Sequence, residues 1–162
     1  MFRGCTSLTD APELPATTTT NYCYRYMFQG CTSLTGLPKL PAKSINTCSY
    51  QGMFSGCTSI KSVPEDYLPA SGVGTQGYKE MFANCTSLTN VPNLPATNVS
   101  NSCYMSMFQG CTSLSTVPED LLPLPTAKGQ GYQQMFQVCT SLRNAPKLPA
   151  TTLGDACYRT MF

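Results

Sequence analysis

The sequence predicts a repeat solenoid of six coils, and two observations support this prediction. A motif of the form MFxGCTSL, with small variations, occurs six times in the 162 residues, and successive Met-Phe pairs are 26 or 28 residues apart. A fixed period of this size indicates stacked coils, none of which can bury its apolar face alone. The predicted coils, numbered 1 to 6, form one array: 1–26, 27–52, 53–80, 81–106, 107–134 and 135–160, with the start of a seventh at 161–162. Because the motif runs to both ends, we expect a segment of a longer chain.

The stretch around each Met-Phe pair predicts a short helix. Cys23, Met27 and Cys31 fall at i, i+4 and i+8, which is the spacing of one helical face. Gly30 follows this stripe, where a left-handed backbone conformation is expected, and five of the six repeats carry Gly or Asn in this slot. Val138 fills the slot in coil 6, so we expect a strained or differently ended helix there.

The next stretch of each coil predicts a short strand that continues into extended backbone. In coil 2 this is TSLTGLP, residues 32–38, and the return loops are polar segments such as ATNVS. Two prolines per coil exclude a long helix and restrict the sheet, so the predicted strand is about 3–5 residues long. We therefore expect short parallel strands on one face, short helices or turns on the other, and coils about 4.8 Å apart. The expected core consists of stacked columns: the Met and Phe residues; Leu8, Leu34, Ile60, Leu88, Leu114 and Leu142; and Ala11, Leu37, Val63, Val91, Val117 and Ala145.

Coils 3 and 5 are two residues longer than the others. Between their prolines they carry Glu65-Asp66 and Glu119-Asp120. We expect a solvated bulge at each place. A cation site is the alternative, although carboxylates on two isolated coils make a weak ligand set.

Ten cysteines leave three interpretations open. Six of them recur once per coil, where cysteine suits the site as a small apolar residue, and four occur only in the short coils. Bridges within the short coils would make four pairs: Cys5 with Cys23, Cys31 with Cys48, Cys85 with Cys103, and Cys139 with Cys157. Free buried thiols are favoured, because the first column persists in the long coils without a partner. A zinc site is least favoured, since the chain has neither histidine nor CxxC spacing.

The composition argues against several classes of function. The absence of histidine removes the commonest general base, and the serines and cysteines belong to the repeated motif, so we expect no enzyme and no cofactor. The net charge is only +2 and the basic residues are scattered, which does not favour nucleic-acid binding. No apolar run is long enough to predict a membrane span.

The repeated string MFxGCTSLTxxPxLP resembles the BspA-like leucine-rich repeats of bacterial surface proteins, over all six repeats. The resemblance implies a leucine-rich-repeat-like solenoid with a parallel sheet on one face, and roles in adhesion and ligand recognition. It also implies an extracellular, cell-surface or virion-fibre location, and it transfers no catalytic residue. The chain departs from the family pattern in its period and in PxLP, where the family has a single IP.

Recognition in a repeat protein belongs to positions that vary while the frame repeats. One such column lies between the two prolines of each coil, and another follows the inward leucine. The candidate recognition face comprises Glu13, Lys39, Glu65, Asp66, Asn93, Glu119, Asp120, Lys147, Lys61, Asn90 and Arg143. The alternative is that these residues are merely exposed and form weak charge pairs between coils. A column of tyrosines, one per coil, is expected to pack over the core edge rather than to form a sugar-stacking platform.

Two functions therefore fit the sequence. The first is a non-enzymatic module that recognises a protein or glycan on a cell surface. The second is a structural spacer or fibre subunit whose neighbouring copies dock end to end.

Overall fold

The structure, a computed structural model that describes residues 1–162, is a solenoid in which equivalent residues of successive coils lie over one another. The phenylalanine rings stack with centroids 5.5–6.0 Å apart, from Phe2 to Phe162. The tyrosine rings stack in the same way, 5.6–6.0 Å apart, from Tyr24 to Tyr158. This stacking confirms the predicted fold class.

The strands are only two residues long. They are β1 (Ser44–Ile45), β2 (Gly72–Val73), β3 (Asn98–Val99), β4 (Thr126–Ala127) and β5 (Thr152–Leu153). All of the pairing is parallel, and it forms one sheet in the order β1-β2-β3 and a second sheet of β4 and β5.

The predicted position and length of the strand were wrong. The strands lie in the polar segments that were expected to be return loops, and the TSLTGLP segment takes part only in an isolated parallel bridge between Asp10 and Gly36. Prolines explain the difference, because the TSLTGLP segment runs directly into the first proline of the coil, which has no N–H to donate to a ladder.

Pro125 explains why the sheet is interrupted between β3 and β4. The equivalent residue Ser71 donates its N–H to the Lys43 carbonyl at 3.0 Å, and so joins β2 to β1. Pro125 has no N–H for the corresponding carbonyl of Thr97. A cleft of about 260 Å³ lies at this position.

The predicted helices are also absent, and a continuous chain of turns replaces them. The structure contains no α-helix and hence no helix that could cross a membrane. In coils 1 and 2 the N–H groups of Arg25 and Met27 each donate to the carbonyl three residues earlier, whereas those of Tyr24 and Tyr26 donate to the next coil. Alternate N–H groups therefore close turns within a coil and join neighbouring coils, a pattern that an α-helix cannot make.

A left-handed residue recurs every fourth position along this chain of turns. Tyr22, Tyr26 and Gly30 have φ values of 64°, 55° and 73°. Gly30 is the third residue of a turn closed by the Cys31 N–H and the Phe28 carbonyl, where type II geometry requires positive φ. The predicted left-handed slot is thus confirmed, and Val138 occupies it in coil 6 with φ 62°.

Most of the predicted core columns are buried. The phenylalanines of coils 2 to 6, the methionines of coils 3 to 6, and the residues from Leu34 to Leu114 in the leucine column have at most 1% of their surface exposed. The tyrosines of coils 2 to 5, from Tyr50 to Tyr132, are buried too, which confirms that this column packs in the core edge. Three residues of the third column differ, since Ala11 and Leu37 are half-buried and Ala145 is exposed.

All ten cysteines are free thiols in the structure, so none of the four within-coil bridges is formed. Eight thiols are buried, while Cys5 and Cys23 are exposed. The buried members of the first column each donate an S–H···O bond of 3.0–3.2 Å to a phenylalanine carbonyl of the preceding coil, for example Cys57 to Phe28. Cysteine in this column therefore acts as a small apolar residue that also joins two coils.

Candidate binding face

The segments between the two prolines of each coil lie side by side and form one edge of the solenoid. We call this surface the proline edge: residues 12–15, 38–41, 64–69, 92–95, 118–123 and 146–149. The structure exposes all eight of the predicted recognition residues on it: Glu13, Lys39, Glu65, Asp66, Asn93, Glu119, Asp120 and Lys147. The face is therefore accessible along its whole length.

The largest cleft of the proline edge separates coils 1 and 2. It has a volume of about 540 Å³, and its lining includes Leu14 and Leu37, three prolines, and the opposite charges of Glu13 and Lys39. No backbone hydrogen bond joins residues 12–15 to residues 38–41. The cleft is thus apolar at its base and carries one charge of each sign on its wall.

A second cleft, of about 370 Å³, lies between coils 2 and 3 and shares Lys39 with the first. Asp66 and Tyr67 line it on the side of coil 3. Tyr67 is buried, and its hydroxyl donates to the Pro38 carbonyl at 2.9 Å. Lys39 is therefore flanked along the edge by a carboxylate on each side, Glu13 and Asp66.

The two extra residues of coils 3 and 5 form a turn rather than a loose bulge. In coil 3 the Tyr67 N–H donates to the Pro64 carbonyl at 3.1 Å, which leaves Glu65 and Asp66 exposed at the tip of the turn. The Glu65 carbonyl also accepts the Asn93 N–H at 2.8 Å. The exposed acid pair was predicted from the sequence, but the burial of Tyr67 was not, because its position directly after two acidic residues gives no signal of burial.

The second predicted column contributes less to the face. Asn90 is only half-exposed, and its amide is already paired: Oδ1 accepts the Val63 N–H at 2.9 Å, and Nδ2 donates to the Val63 carbonyl at 2.8 Å. This side chain holds two coils together, which leaves it only one amide hydrogen for a ligand. Lys61 and Arg143 are exposed, but they lie on coils 3 and 6 and are not brought together.

Charge pairing within the chain is sparse on this face. Lys147 Nζ lies 2.8 Å from a Glu119 carboxylate oxygen, and both side chains are about 70% exposed (74% and 69%). Pairs this exposed contribute roughly 0–1 kcal/mol to stability. No other ion pair involves a residue of the proline edge, so most of its charges are available to a partner.

The buried nucleophiles are poorly suited to chemistry. Burial raises the pKa of the Cys57 thiol to about 12 and that of Cys139 to about 11. A thiol must ionise to act as a nucleophile, so these side chains stay protonated near neutral pH. The structure brings together no group of three side chains of the kinds that ligate metals.

The repeats also match a known family of sequences. A model of the BspA type leucine-rich repeat region matches in six copies, over residues 1–115 and 75–160. No curated protein matches the chain. Among solved structures, the chain is similar to a leucine-rich repeat protein from Bacteroides ovatus, with 22% identity and a TM-score of 0.46, over 95% of this chain and 41% of that one. It thus spans less than half the length of that protein. Because the matched ranges together run from residue 1 to residue 160, the chain belongs to the BspA-type leucine-rich repeat family.

Proposed function

We propose that this chain is a non-enzymatic recognition module, displayed at a cell surface, that binds another protein through the proline edge. Repeats of BspA type are typically found in bacterial surface proteins, and leucine-rich repeats generally mediate protein interactions without catalysis. The observation that supports the site is the pair of apolar clefts around Lys39, with their exposed and largely unpaired charges.

The chemistry of this face favours a protein over a glycan. The clefts combine proline and leucine with isolated charges of both signs, and such surfaces suit an extended peptide segment with apolar and charged side chains. Backbone donors are available as well, since the N–H groups of Lys39 and Leu40 have no partner within the chain. The tyrosine column, which a sugar would need as a stacking platform, is buried in coils 2 to 5.

The test is a binding screen with a matched pair of variants. The purified chain would be assayed against a panel of secreted and surface proteins and against a glycan array. Lys39→Ala/Asp66→Ala removes both charges from the cleft between coils 2 and 3 and should weaken protein binding by about tenfold or more. Lys128→Ala is the control, because Lys128 is exposed next to β4, away from the proline edge.

The outcomes separate the alternatives. A protein ligand that loses affinity with the double variant and keeps it with the control supports the proposal. Binding that both variants leave unchanged would move recognition to another surface. Hits confined to the glycan array would contradict a protein partner.

A structural spacer is a second candidate, supported by the direction of the backbone bonds between coils. In the chain of turns each coil donates N–H groups to the following coil and accepts from the preceding one, as in the bond from Phe28 to Met53 at 3.0 Å. The same contact could join copies end to end. Electron microscopy and light scattering test this function, which predicts rods that lengthen with concentration.

A further inference from the structure

The charges along the proline edge complement themselves when the order of the coils is reversed. From coil 1 to coil 6 the net charges of the six edge segments are −1, +1, −2, 0, −2 and +1. We propose that the proline edge of one copy pairs with that of a second copy in antiparallel order, about a twofold axis between coils 3 and 4. An isologous contact of this kind uses the same patch on both subunits.

The reversed order places no two like charges opposite each other. Coil n of one copy meets coil 7 − n of the other. The pairs, each made twice, are Glu13 with Lys147, Lys39 with Glu119 and Asp120, and Glu65 and Asp66 with Asn93. The first two pairs are ionic, and the third sets carboxylates against an amide that can donate hydrogen bonds. Lys147 can meet Glu13 while it also contacts its own Glu119.

Other registers are less favourable. A shift by one coil in one direction places coil 3 against coil 3, with Glu65 and Asp66 facing their own copies. The opposite shift places coil 3 against the Glu119-Asp120 pair of coil 5, and a parallel arrangement places every coil against its equivalent. Like charges face each other in each of these arrangements, which is destabilising. Shifts by two coils avoid repulsion but engage four coils instead of six.

The second variable column follows the same rule. A twofold axis in the plane of contact that runs across the coils reverses their order but keeps each column opposite itself. Asp10 on coil 1 therefore meets Asn144 on coil 6, and Arg143 meets Thr9. Lys61 on coil 3 meets the polar Thr89 on coil 4. Like charges do not face each other at these positions either, although the order of charges on the proline edge does not require this.

Shape supports the pairing that charge suggests. Leu148 is a large apolar side chain with 46% of its surface exposed, and it directly follows Lys147 on coil 6. The cleft of about 540 Å³ lies beside Glu13 at the opposite end of the edge. When Lys147 meets Glu13 of the other copy, Leu148 lies over this cleft, and the twofold axis repeats the contact.

The dimer should be weak and sensitive to salt. Six coils about 4.8 Å apart present a row on the order of 25 Å long and a few residues wide. This is smaller than the roughly 800 Å² per partner of a standard interface. The inference goes beyond the proposed function, because the partner is the chain itself, and self-pairing would cover the face proposed for a foreign protein.

Sedimentation velocity on the purified chain tests the proposal. We expect a dimer that forms between about 10 µM and about 1 mM and weakens when salt rises from about 50 mM to about 500 mM. Lys39→Glu faces two carboxylates at both symmetric sites and should raise Kd by about tenfold or more. Adding Asp120→Lys to that variant removes the net repulsion and should recover part of the affinity. Lys128→Glu, with the same charge change away from the edge, should leave Kd unchanged, and circular dichroism checks that every variant folds.

A zero-length carbodiimide cross-link identifies the register. Mixed ¹⁴N and ¹⁵N chains should give an intermolecular bond between Lys39 and Glu119 or Asp120. Within one chain these residues lie three coils apart, on the order of 14 Å, and an end-to-end stack separates them equally. A strict monomer at every concentration, or a dimer that Lys39→Glu does not weaken, would overturn the proposal. Either result leaves the test for a foreign protein ligand intact.

Discussion

Val138 holds a left-handed conformation that glycine adopts at four of the five equivalent positions. Its φ is 62°, its side chain branches at Cβ, and 56% of its surface is exposed. A left-handed conformation costs an ordinary residue roughly 1–2 kcal/mol, whereas glycine adopts it freely. Replacing Val138 should therefore reveal backbone strain rather than loss of packing.

The most direct measure is the difference between glycine and alanine at this position. Both variants remove the two γ-methyl groups of valine and differ only in the β-carbon, so at this exposed position their difference reports mainly the backbone conformation. Glycine gains roughly 1–2 kcal/mol from the left-handed conformation and loses about 0.4–1 kcal/mol through its freer unfolded chain. Val138→Gly should thus be more stable than Val138→Ala by about 1 kcal/mol. For a chain of this length that difference raises Tm by about 2–4 °C.

Thr140 supplies the matched control in the same coil. It is exposed, its φ is not positive, and its side chain makes no hydrogen bond. At such a position alanine should be more stable than glycine by about 0.5–1 kcal/mol. Urea and thermal unfolding of the four variants would measure both differences. The same sign at the two positions, or alanine preferred at Val138, would refute the argument from φ.

Three further predictions concern the thiols and the sheet. Thiol titration at about pH 8 should find two fast thiols in the native chain, Cys5 and Cys23, and all ten after denaturation, whereas eight or fewer would indicate bridges. The free energy of unfolding should fall above about pH 9, because an unfolded chain releases thiol protons that the native chain retains. Burial raises the pKa of Cys57 from 9.0 to about 12. Each such thiol lowers the free energy of unfolding by about 1.4 kcal/mol per pH unit between those two values. An unfolding free energy independent of pH from about 8 to 10 would contradict this. Pro125→Ser should give an amide that donates to the Thr97 carbonyl and exchanges about tenfold more slowly than in unpaired loops, as hydrogen exchange would measure.

The sequence was a good guide to stacking and a poor guide to secondary structure, for one physical reason. Identical residues at a fixed period predict columns whatever the backbone conformation is, so the core could be read directly. The i, i+4 spacing of Cys23 and Met27 fits an α-helix, but it fits equally well a chain of turns with one left-handed residue in every four. Only the third left-handed column is rich in glycine; the first two hold residues such as Tyr22 and Gln76, which give no such signal.

The same distinction holds for the candidate site, where the exposed residues could be predicted from the sequence and their contacts could not. Exposure of the charged residues between the prolines followed from their variation within a constant frame. The clefts could not be predicted from the sequence, because they depend on which backbone hydrogen bonds join neighbouring coils. The Asn93 N–H donates to the Glu65 carbonyl, whereas no backbone hydrogen bond joins the proline segments of coils 1 and 2. The pairing of the Asn90 amide could not be predicted either, since an asparagine that binds a ligand and one that bridges two coils look alike in sequence.

Backbone hydrogen bonds hold the coils together, so the residues that stabilise the solenoid differ from the exposed residues that can bind a partner. Of 81 backbone hydrogen bonds, 78 lie outside the strands, in turns and between coils, and they constrain φ and the buried columns but not the exposed side chains. Charges on the proline edge can therefore be exchanged at little cost to stability. It follows that reversing Lys39 should alter association and leave Tm nearly unchanged, whereas replacing Cys57, which joins two coils through its S–H bond, should lower Tm without altering the face.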